Sequence, residues 1–123
     1  MLNLNSIMIG SEDPKELAIF YEKVLEKKPD MDDGDWFGFS AGNCFLTIGP
    51  HDKVKGNNKN PEQIILNFET KEVETEFERI RGIGAMVIAK PYRMGEGDEG
   101  MGPIATFADP DGNFFQLMPP WES

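Results

Sequence analysis

The stretch at residues 105–120 (ATFADPDGNFFQLMPP) is the feature that most constrains what this chain can fold into. It has two apolar arms on either side of a turn at residues 109–113, where proline presets one backbone angle and Gly112 and Asn113 tolerate positive φ. The two closing prolines end the strand pairing. A hairpin that is apolar on both arms is expected near the centre of a sheet.

The same hairpin pattern occurs earlier in the chain. Residues 42–50 (GNCFLTIGP) align with residues 112–120 (GNFFQLMPP) at a constant offset of 70 residues. The helix starts repeat as well, because Asp13 precedes Phe20 by seven residues and Thr70 precedes Phe77 by the same number, at an offset of 57. A pattern that occurs twice predicts an internal duplication.

The hydrophobic pattern predicts a strand and a helix followed by paired strands, and then the same order again. Asp13, Pro14 and Glu16 have the spacing of an N-cap, a first helical residue and a capping box. This order predicts an α+β fold in one domain spanning residues 1–123, with modules 1–50 and 62–123 and a polar linker 51–61. The predicted elements are strands at 2–9, 35–40, 44–48, 63–69 and 85–89, helices at 14–28 and 71–81, and the final hairpin. The glycine-rich loop at 93–102 is either a mobile lid or a simple connection.

Charge and composition exclude some classes of partner. The chain has 22 acidic and 12 basic residues, a formal net charge of −10, which argues against nucleic acid and anionic membranes as partners and permits a cationic ligand. A single cysteine, Cys44, excludes an intramolecular disulfide framework. With no leader sequence and no membrane-length apolar run, the sequence predicts a soluble, cytoplasmic protein.

Two motifs carry a resemblance to a known family. The FxDPDGNxxxL hairpin at residues 107–117 and the opening pattern, in which Phe20 and Tyr21 follow Asp13, resemble the vicinal oxygen chelate superfamily. That superfamily holds glyoxalase I, the bleomycin resistance proteins and the extradiol dioxygenases. The resemblance covers most of the chain. It implies two βαβββ modules that form a curled mixed sheet around a shared cavity, with the helices outside, and it implies a homodimer.

The resemblance also implies where a metal would bind. Metal-dependent relatives hold one divalent ion with histidine and glutamate from the first and last strands of each module, and these positions map to Ser6, Leu46, Gln63 and Gln116. A catalytic metal site needs several good donors, whereas leucine donates nothing and the other three are neutral. His51 is the only histidine and lies in the polar linker. We therefore expect no metal and no cofactor, with a divalent metal as the alternative.

Strand alternation extends the family positions to a predicted pocket. One face of each strand should line a largely apolar, small-molecule cavity, while residues such as Ile7, Leu66 and Phe115 pack under the helices. Aromatic side chains near the strand ends should stack on a planar ligand. The predicted ligand-binding residues are Ser6, Met8, Trp36, Leu46, Gln63, Ile65, Asn67, Tyr92, Met94, Phe114, Gln116, Met118 and Trp121, and no catalytic residue is predicted.

Three functions remain open from the sequence. The preferred one is a metal-free, homodimeric protein of the bleomycin-resistance type that sequesters a small cationic or aromatic molecule. The second is a glyoxalase- or dioxygenase-like enzyme, a lyase or oxidoreductase, with an atypical metal site; it rests on fold analogy alone. The third is a metal-independent isomerase or lyase in which Ser6, Gln63 or Gln116 polarises a carbonyl, although no general base accompanies them.

Overall fold

Two compact units make up the chain. The computed structural model describes residues 1–93 and 102–121, and the chain divides into a first module, Met1–Asn57, and a second module, Asn58–Ser123. The division falls within the stretch predicted as a linker. Each module contains one strand, one helix and three further strands in the same order. The predicted α+β class and the repeated βαβββ modules are therefore confirmed.

The two sheets share one topology. In each sheet the first strand of the module pairs in parallel with the last, and the other neighbours are antiparallel. The first module contains β1 (Ser6–Ser11), α1 (Pro14–Leu25), β2 (Met31–Asp32), β3 (Phe37–Ala41) and β4 (Cys44–Pro50), with strand order β1-β4-β3-β2. The second module contains β5 (Leu66–Glu69), α2 (Val73–Gly82), β6 (Met86–Tyr92), β7 (Ile104–Ala108) and β8 (Phe114–Met118), with strand order β5-β8-β7-β6.

Several strand boundaries differ from the prediction because the partner strand sets them. β1 begins at Ser6, where it meets Phe45 of β4, rather than at residue 2. β5 begins at Leu66 rather than at residue 63. β2 lies between the first predicted helix and the strand predicted at 35–40, where no element was predicted. β6 continues through two register shifts to Tyr92. Most of the predicted lid, residues 94–101, lies outside the described residues.

The two helices begin differently. Asp13 is the N-cap of α1 and its side chain accepts a hydrogen bond from Glu16 N at 3.2 Å, as predicted. The N-cap of α2 is Glu72, not Thr70, and the Glu72 side chain makes no capping hydrogen bond. Thr70 instead uses its hydroxyl to accept from Glu72 N at 3.0 Å. The second helix therefore starts two residues later than predicted, which shifts every position counted back from it.

Each helix covers one face of its own sheet. In the second module the rings of Phe77, Phe107 and Phe115 stack with centroid separations of 5.3 and 5.4 Å, which joins α2 to β7 and β8. In the first module, α1 packs on β1, β3 and β4. Its core is formed by the buried residues Leu17, Ala18, Tyr21, Val24, Phe37, Phe39, Leu46 and Ile48. The opposite side of each sheet is called the helix-free face below.

The turn at residues 109–113 forms as predicted, with one difference. Gly112 has a φ of +82°, but Asn113 is not in the left-handed region. Asn113 instead donates its side-chain amide to both carboxylate oxygens of Asp109, at 3.2 and 3.0 Å. The Asp109 carboxylate also accepts from the backbone nitrogens of Asp111 and Asn113. No helix among residues 1–93 and 102–121 is long and apolar enough to span a membrane.

Candidate functional site

The register of the first sheet separates its two faces. Residues that pair across neighbouring strands point to the same face. The row Ile7–Leu46–Phe39 lies on the face that α1 covers, where Leu46 and Phe39 are buried and Ile7 is half-buried. Because alternate residues along a strand point to opposite faces, the rows on either side of it lie on the helix-free face. Those rows are Ser6–Phe45–Ser40 and Met8–Thr47–Gly38, and the pair Gly10–Gly49 follows on the same face.

Two aromatic rings cover two glycines on this face. A Cβ added to Gly38 would lie 2.6 Å from two ring atoms of Phe45, and one added to Gly49 would overlap the indole of Trp36. Neither glycine has positive φ, so the close approach of the rings, and not backbone conformation, is what excludes a side chain here. The half-buried rings of Trp36 and Phe45, together with the two glycines beneath them, are called the aromatic floor.

Hydrogen bonds to Asp33 fix the turn that leads into Trp36. The Asp33 Oδ1 atom accepts from Trp36 N at 2.8 Å and from Asp35 N at 3.1 Å. These two bonds stabilise the carboxylate and hold the pKa of Asp33 below its usual value. A charged carboxylate therefore stabilises the turn that positions Trp36 in the aromatic floor.

A second carboxylate fixes the other end of β3. The Lys27 ammonium lies 2.8 Å from Asp30 Oδ2, which also accepts from Ser40 N at 2.7 Å. The bond from Lys27, followed by that from Ser40, lowers the pKa of the Asp30 carboxyl. Lys27 in turn donates to Ser40 O at 3.1 Å. Both ends of the strand that carries Gly38 are thus held by side-chain hydrogen bonds.

The helix-free face of the second sheet is polar at the equivalent row. Asn67, Gln116 and Thr106 pair across β5, β8 and β7, and Gln116 Nε2 donates to Thr106 Oγ1 at 3.0 Å. Phe114 and Met118 lie on the same side of β8 as Gln116; Phe114 is half-buried and Met118 is 7% exposed. This face therefore presents amides and a hydroxyl between apolar neighbours.

Two of the four mapped metal positions are corrected by the structure. Leu46 lies in the row that packs against α1 and is 4% exposed, so it does not face the helix-free side. Gln63 precedes β5 in a turn, where its backbone nitrogen donates to Asn60 O at 3.1 Å. Leu46 was misplaced because the position was counted from the turn glycine, and the turns of the two hairpins differ in length although Gly42 and Gly112 align. Gln63 was misplaced because the position was counted back from Thr70, whereas the N-cap of α2 is Glu72.

The observed register gives the equivalent positions. Seven residues before the N-cap Glu72 is Ile65, in place of Gln63. Met8 and Asn67 each lie five residues before the N-cap of their module, and they pair with Thr47 and Gln116 respectively. The corrected set is Ser6, Thr47, Ile65 and Gln116.

The corrected set does not fit a divalent metal ion. Two hydroxyls, one alkyl side chain and one amide supply no carboxylate, imidazole or thiolate. Within the described ranges 1–93 and 102–121, no group of three or more His, Cys, Asp or Glu residues is arranged to hold a metal. His51 lies in the predicted linker, where its Nδ1 accepts from Lys53 N at 3.0 Å.

The remaining predicted residues are dispersed. Met8 lies on the helix-free face of the first sheet and is 51% exposed, and Ile65 is half-buried just before β5. Trp121 follows β8 and is 79% exposed. Tyr92 ends β6 and lines a groove together with residues of α2. Met94 lies outside the described residues.

Sequence reasoning missed three side chains on the helix-free faces. Phe45 and Thr47 were not among the predicted residues because the hairpin alignment placed the first module one residue out of register. Thr106 was missed because, in the final hairpin, only residues of the second arm were predicted to line the pocket. A signal was available at Gly38, which lies inside the predicted strand at 35–40, and Gly49 directly follows the predicted strand at 44–48. Glycine within a strand often marks a close approach by another group.

Comparison with known proteins gives a family match over nearly the whole chain. A family model described as a glyoxalase-like domain matches residues 6–118. No curated protein sequence matches the chain.

Solved structures show the same fold at low sequence identity. One, described as a glyoxalase/bleomycin resistance protein/dioxygenase family enzyme from Burkholderia phytofirmans PsJN, is 19% identical over 94% of this chain and 97% of its own, with a TM-score of 0.72. A glyoxalase-related enzyme from Fulvimarina pelagi is 17% identical over 98% and 89%, with a TM-score of 0.75. A glyoxalase/dioxygenase from Nostoc punctiforme is 17% identical over 98% and 92%, also with a TM-score of 0.75.

Proposed function

This chain belongs to the glyoxalase-like domain family of the vicinal oxygen chelate superfamily, and from that premise we propose that it binds a small planar cation without a divalent metal. The ligand stacks on the aromatic floor of the first module. This assigns the chain to the binding proteins of the superfamily, of the bleomycin-resistance type, rather than to its metal-dependent enzymes.

The aromatic floor carries the proposal. Trp36 and Phe45 lie against glycine backbone, so their rings are backed by the sheet while part of each ring stays exposed. A planar ligand gains from stacking on such rings, by about 0.5–1.5 kcal/mol per ring beyond the burial of apolar area. Met8, half-exposed on the same face, adds an adaptable apolar contact.

The charge around the floor favours a cation. Residues 30–35, which lead into Trp36, contain four aspartates and no basic residue. Asp33 is held as a carboxylate by the hydrogen bonds described above, whereas the charge of Asp30 is offset by Lys27. A cation over the face of a tryptophan ring is attracted by the ring quadrupole as well. The net charge of the chain, −10, acts in the same direction at longer range.

The donor set at the family positions supports the metal-free part of the proposal. Neutral hydroxyl and amide groups at Ser6, Thr47 and Gln116, with Ile65 as the fourth position, offer no charge to offset a divalent ion. The proposal also retains the expectations of a homodimer and of a cytoplasmic location. Light scattering coupled to size-exclusion chromatography tests the first of these, because a dimer has twice the monomer mass of 13.8 kDa.

Binding of 9-aminoacridine, a fluorescent planar cation, tests the proposal directly. We expect saturable binding to the full chain, equal with and without a chelator, and weakened about fivefold or more by Trp36→Leu. Phe45→Leu should weaken binding in the same direction. The matched control is Ile19→Ala, which removes a 45% exposed apolar side chain from α1, on the opposite side of the sheet, and should leave binding unchanged.

Two results would overturn the proposal. The first is equal affinity for wild type, Trp36→Leu and Ile19→Ala. The second is a full equivalent of a transition metal in protein purified without an affinity tag, together with glyoxalase or ring-cleavage turnover that a chelator abolishes. That outcome would establish the enzyme alternative with an atypical metal site.

A further inference from the structure

A groove in the second module lies between α2 and the end of β6. It has a volume of about 510 Å³ and is bordered by α2, the end of β6 and Pro103. This volume is within the range of small-molecule sites, roughly 300–1,000 Å³. Side chains of α2 form one wall of the groove, and none of the residues that line it belongs to the aromatic floor or to the row Asn67–Gln116–Thr106.

The groove gathers positive charge in an acidic chain. Arg81, Lys90 and Arg93 line it, as do Glu74 and Glu78. Glu78 already forms an ion pair with Arg81. No carboxylate of the described residues pairs with Lys90 or Arg93. Among residues 1–93 and 102–121, two cations at one end of the groove are therefore without a carboxylate partner, although the chain as a whole carries −10.

The groove also has planar apolar walls. Tyr92, 42% exposed, lies between Lys90 and Arg93 in sequence and lines the groove with Phe77. The Arg81 guanidinium lies 5.9 Å from the centroid of the Phe77 ring, which places a cation over one aromatic wall. Pro91 and Pro103 add rigid apolar surface. Aromatic surface beside the cations of Lys90 and Arg93 suits a ligand that has both a ring and a carboxylate.

We propose that this groove is a second ligand site, which binds a small aromatic carboxylate. The ring of the ligand packs against Tyr92 and its carboxylate contacts Lys90 and Arg93. The site does not depend on the proposed function, because it takes a ligand of opposite charge in a different module.

Benzoate is the probe, with binding followed by amide chemical shifts in the full chain. We expect saturable shifts at residues of α2 and of the end of β6. Replacing both cations, Lys90→Gln with Arg93→Gln, should weaken binding about tenfold, and Tyr92→Leu should weaken it as well. Lys59→Gln is the matched control because Lys59 is an exposed lysine in the predicted linker, and its replacement should leave benzoate affinity unchanged.

Ligand variants separate the two parts of the recognition. Benzamide keeps the ring but has no charge, and acetate keeps the charge but has no ring; each should bind more weakly than benzoate. Salt at about 0.5 M should weaken benzoate binding but not benzamide binding, since exposed charge contacts are screened. The proposal fails if benzoate does not shift these residues, if benzamide binds equally well, or if the double variant binds like Lys59→Gln.

The two proposals fail separately. Lys90→Gln with Arg93→Gln should leave 9-aminoacridine affinity unchanged, and Trp36→Leu should leave benzoate affinity unchanged. Loss of both ligands in either variant, with the amide spectrum of the native fold retained, would contradict the assignment of two independent sites.

Discussion

The two modules repeat one backbone but differ on their helix-free faces. Met8, Thr47 and Gly38 form the central row of the first face, and Asn67, Gln116 and Thr106 form the same row of the second. Where the first module has Gly38 and Gly49, the register of the second places Thr106 and Met118. The first face can therefore seat aromatic rings against its backbone, and the second face carries side chains of its own.

The helix-bearing faces differ much less. The equivalent pairs there are Phe39 and Phe107, Leu46 and Phe115, and Ile48 and Leu117, all of them buried and apolar. The contact with the helix demands apolar side chains of suitable volume on that face. The other face has no such demand from its own module. The comparison teaches that the repeat preserves the apolar contact between each helix and its sheet, while the side chains on the helix-free face can diverge.

The largest loss of stability should come from adding a side chain to the helix-free face of the first sheet, at a position where the second sheet carries Met118. Gly49→Ala places a Cβ into the Trp36 indole, so we expect a loss of about 1–3 kcal/mol in the free energy of unfolding. Urea denaturation measures the loss. In a Trp121→Phe background, the emission of Trp36 should also change, because the ring must leave its position over the glycine.

Gly82→Ala is the matched control for this substitution. No atom lies within 4 Å of a Cβ at Gly82, which ends α2 without positive φ, so its effect should stay within about 1 kcal/mol and favour stability. Equal destabilisation by the two substitutions, or unchanged Trp36 emission in Gly49→Ala, would show that the aromatic floor does not need the glycine.

A smaller effect should distinguish the two helix starts. Asp13→Ala removes a side chain that accepts from Glu16 N and should lower the free energy of unfolding by about 1 kcal/mol. Glu72→Ala removes no capping hydrogen bond, and only its charge near the positive helix end is lost, about 0.5 kcal/mol. Urea denaturation of the two variants side by side tests the difference. A larger loss for Glu72→Ala would reverse this part of the comparison.

The smallest expected effect is a pH-dependent change in the stability of the turn that contains Asp33, in the first module. The pKa of Asp33 in the folded protein lies below its usual value because Trp36 N and Asp35 N donate to it. The stability it contributes is therefore present above the unfolded pKa, about 3.9, and is lost as pH falls through the folded pKa. We expect Trp36 emission, again in the Trp121→Phe background, to change over that acidic range.

Asp33→Asn is the control for the titration. The amide oxygen of asparagine can accept the same two backbone hydrogen bonds but does not titrate there. The acid-induced change in Trp36 emission should be smaller in this variant than with aspartate at position 33. An identical titration in both proteins would mean that another carboxylate, such as Asp30, controls the position of the ring.

Much of the architecture could be predicted from residues close in sequence. The turn at 109–113, the N-cap Asp13 and the apolar periodicity of both helices depend on local chemistry, so the α+β class and the repeat were correct. Glycine inside β3 and β4 was also visible in the sequence, although its meaning was not.

Only the tertiary structure decided which residues share a face. A shift of one residue turns a strand over, and the aligned glycines Gly42 and Gly112 hid such a shift because their hairpins have turns of different length. Leu46 therefore moved to the helix-bearing face, with Thr47 in its place. Local sequence patterns predicted which helices and strands form and in what order. The register of the strands depends on how they pair in the sheet, and the register determines which side chains a ligand can reach.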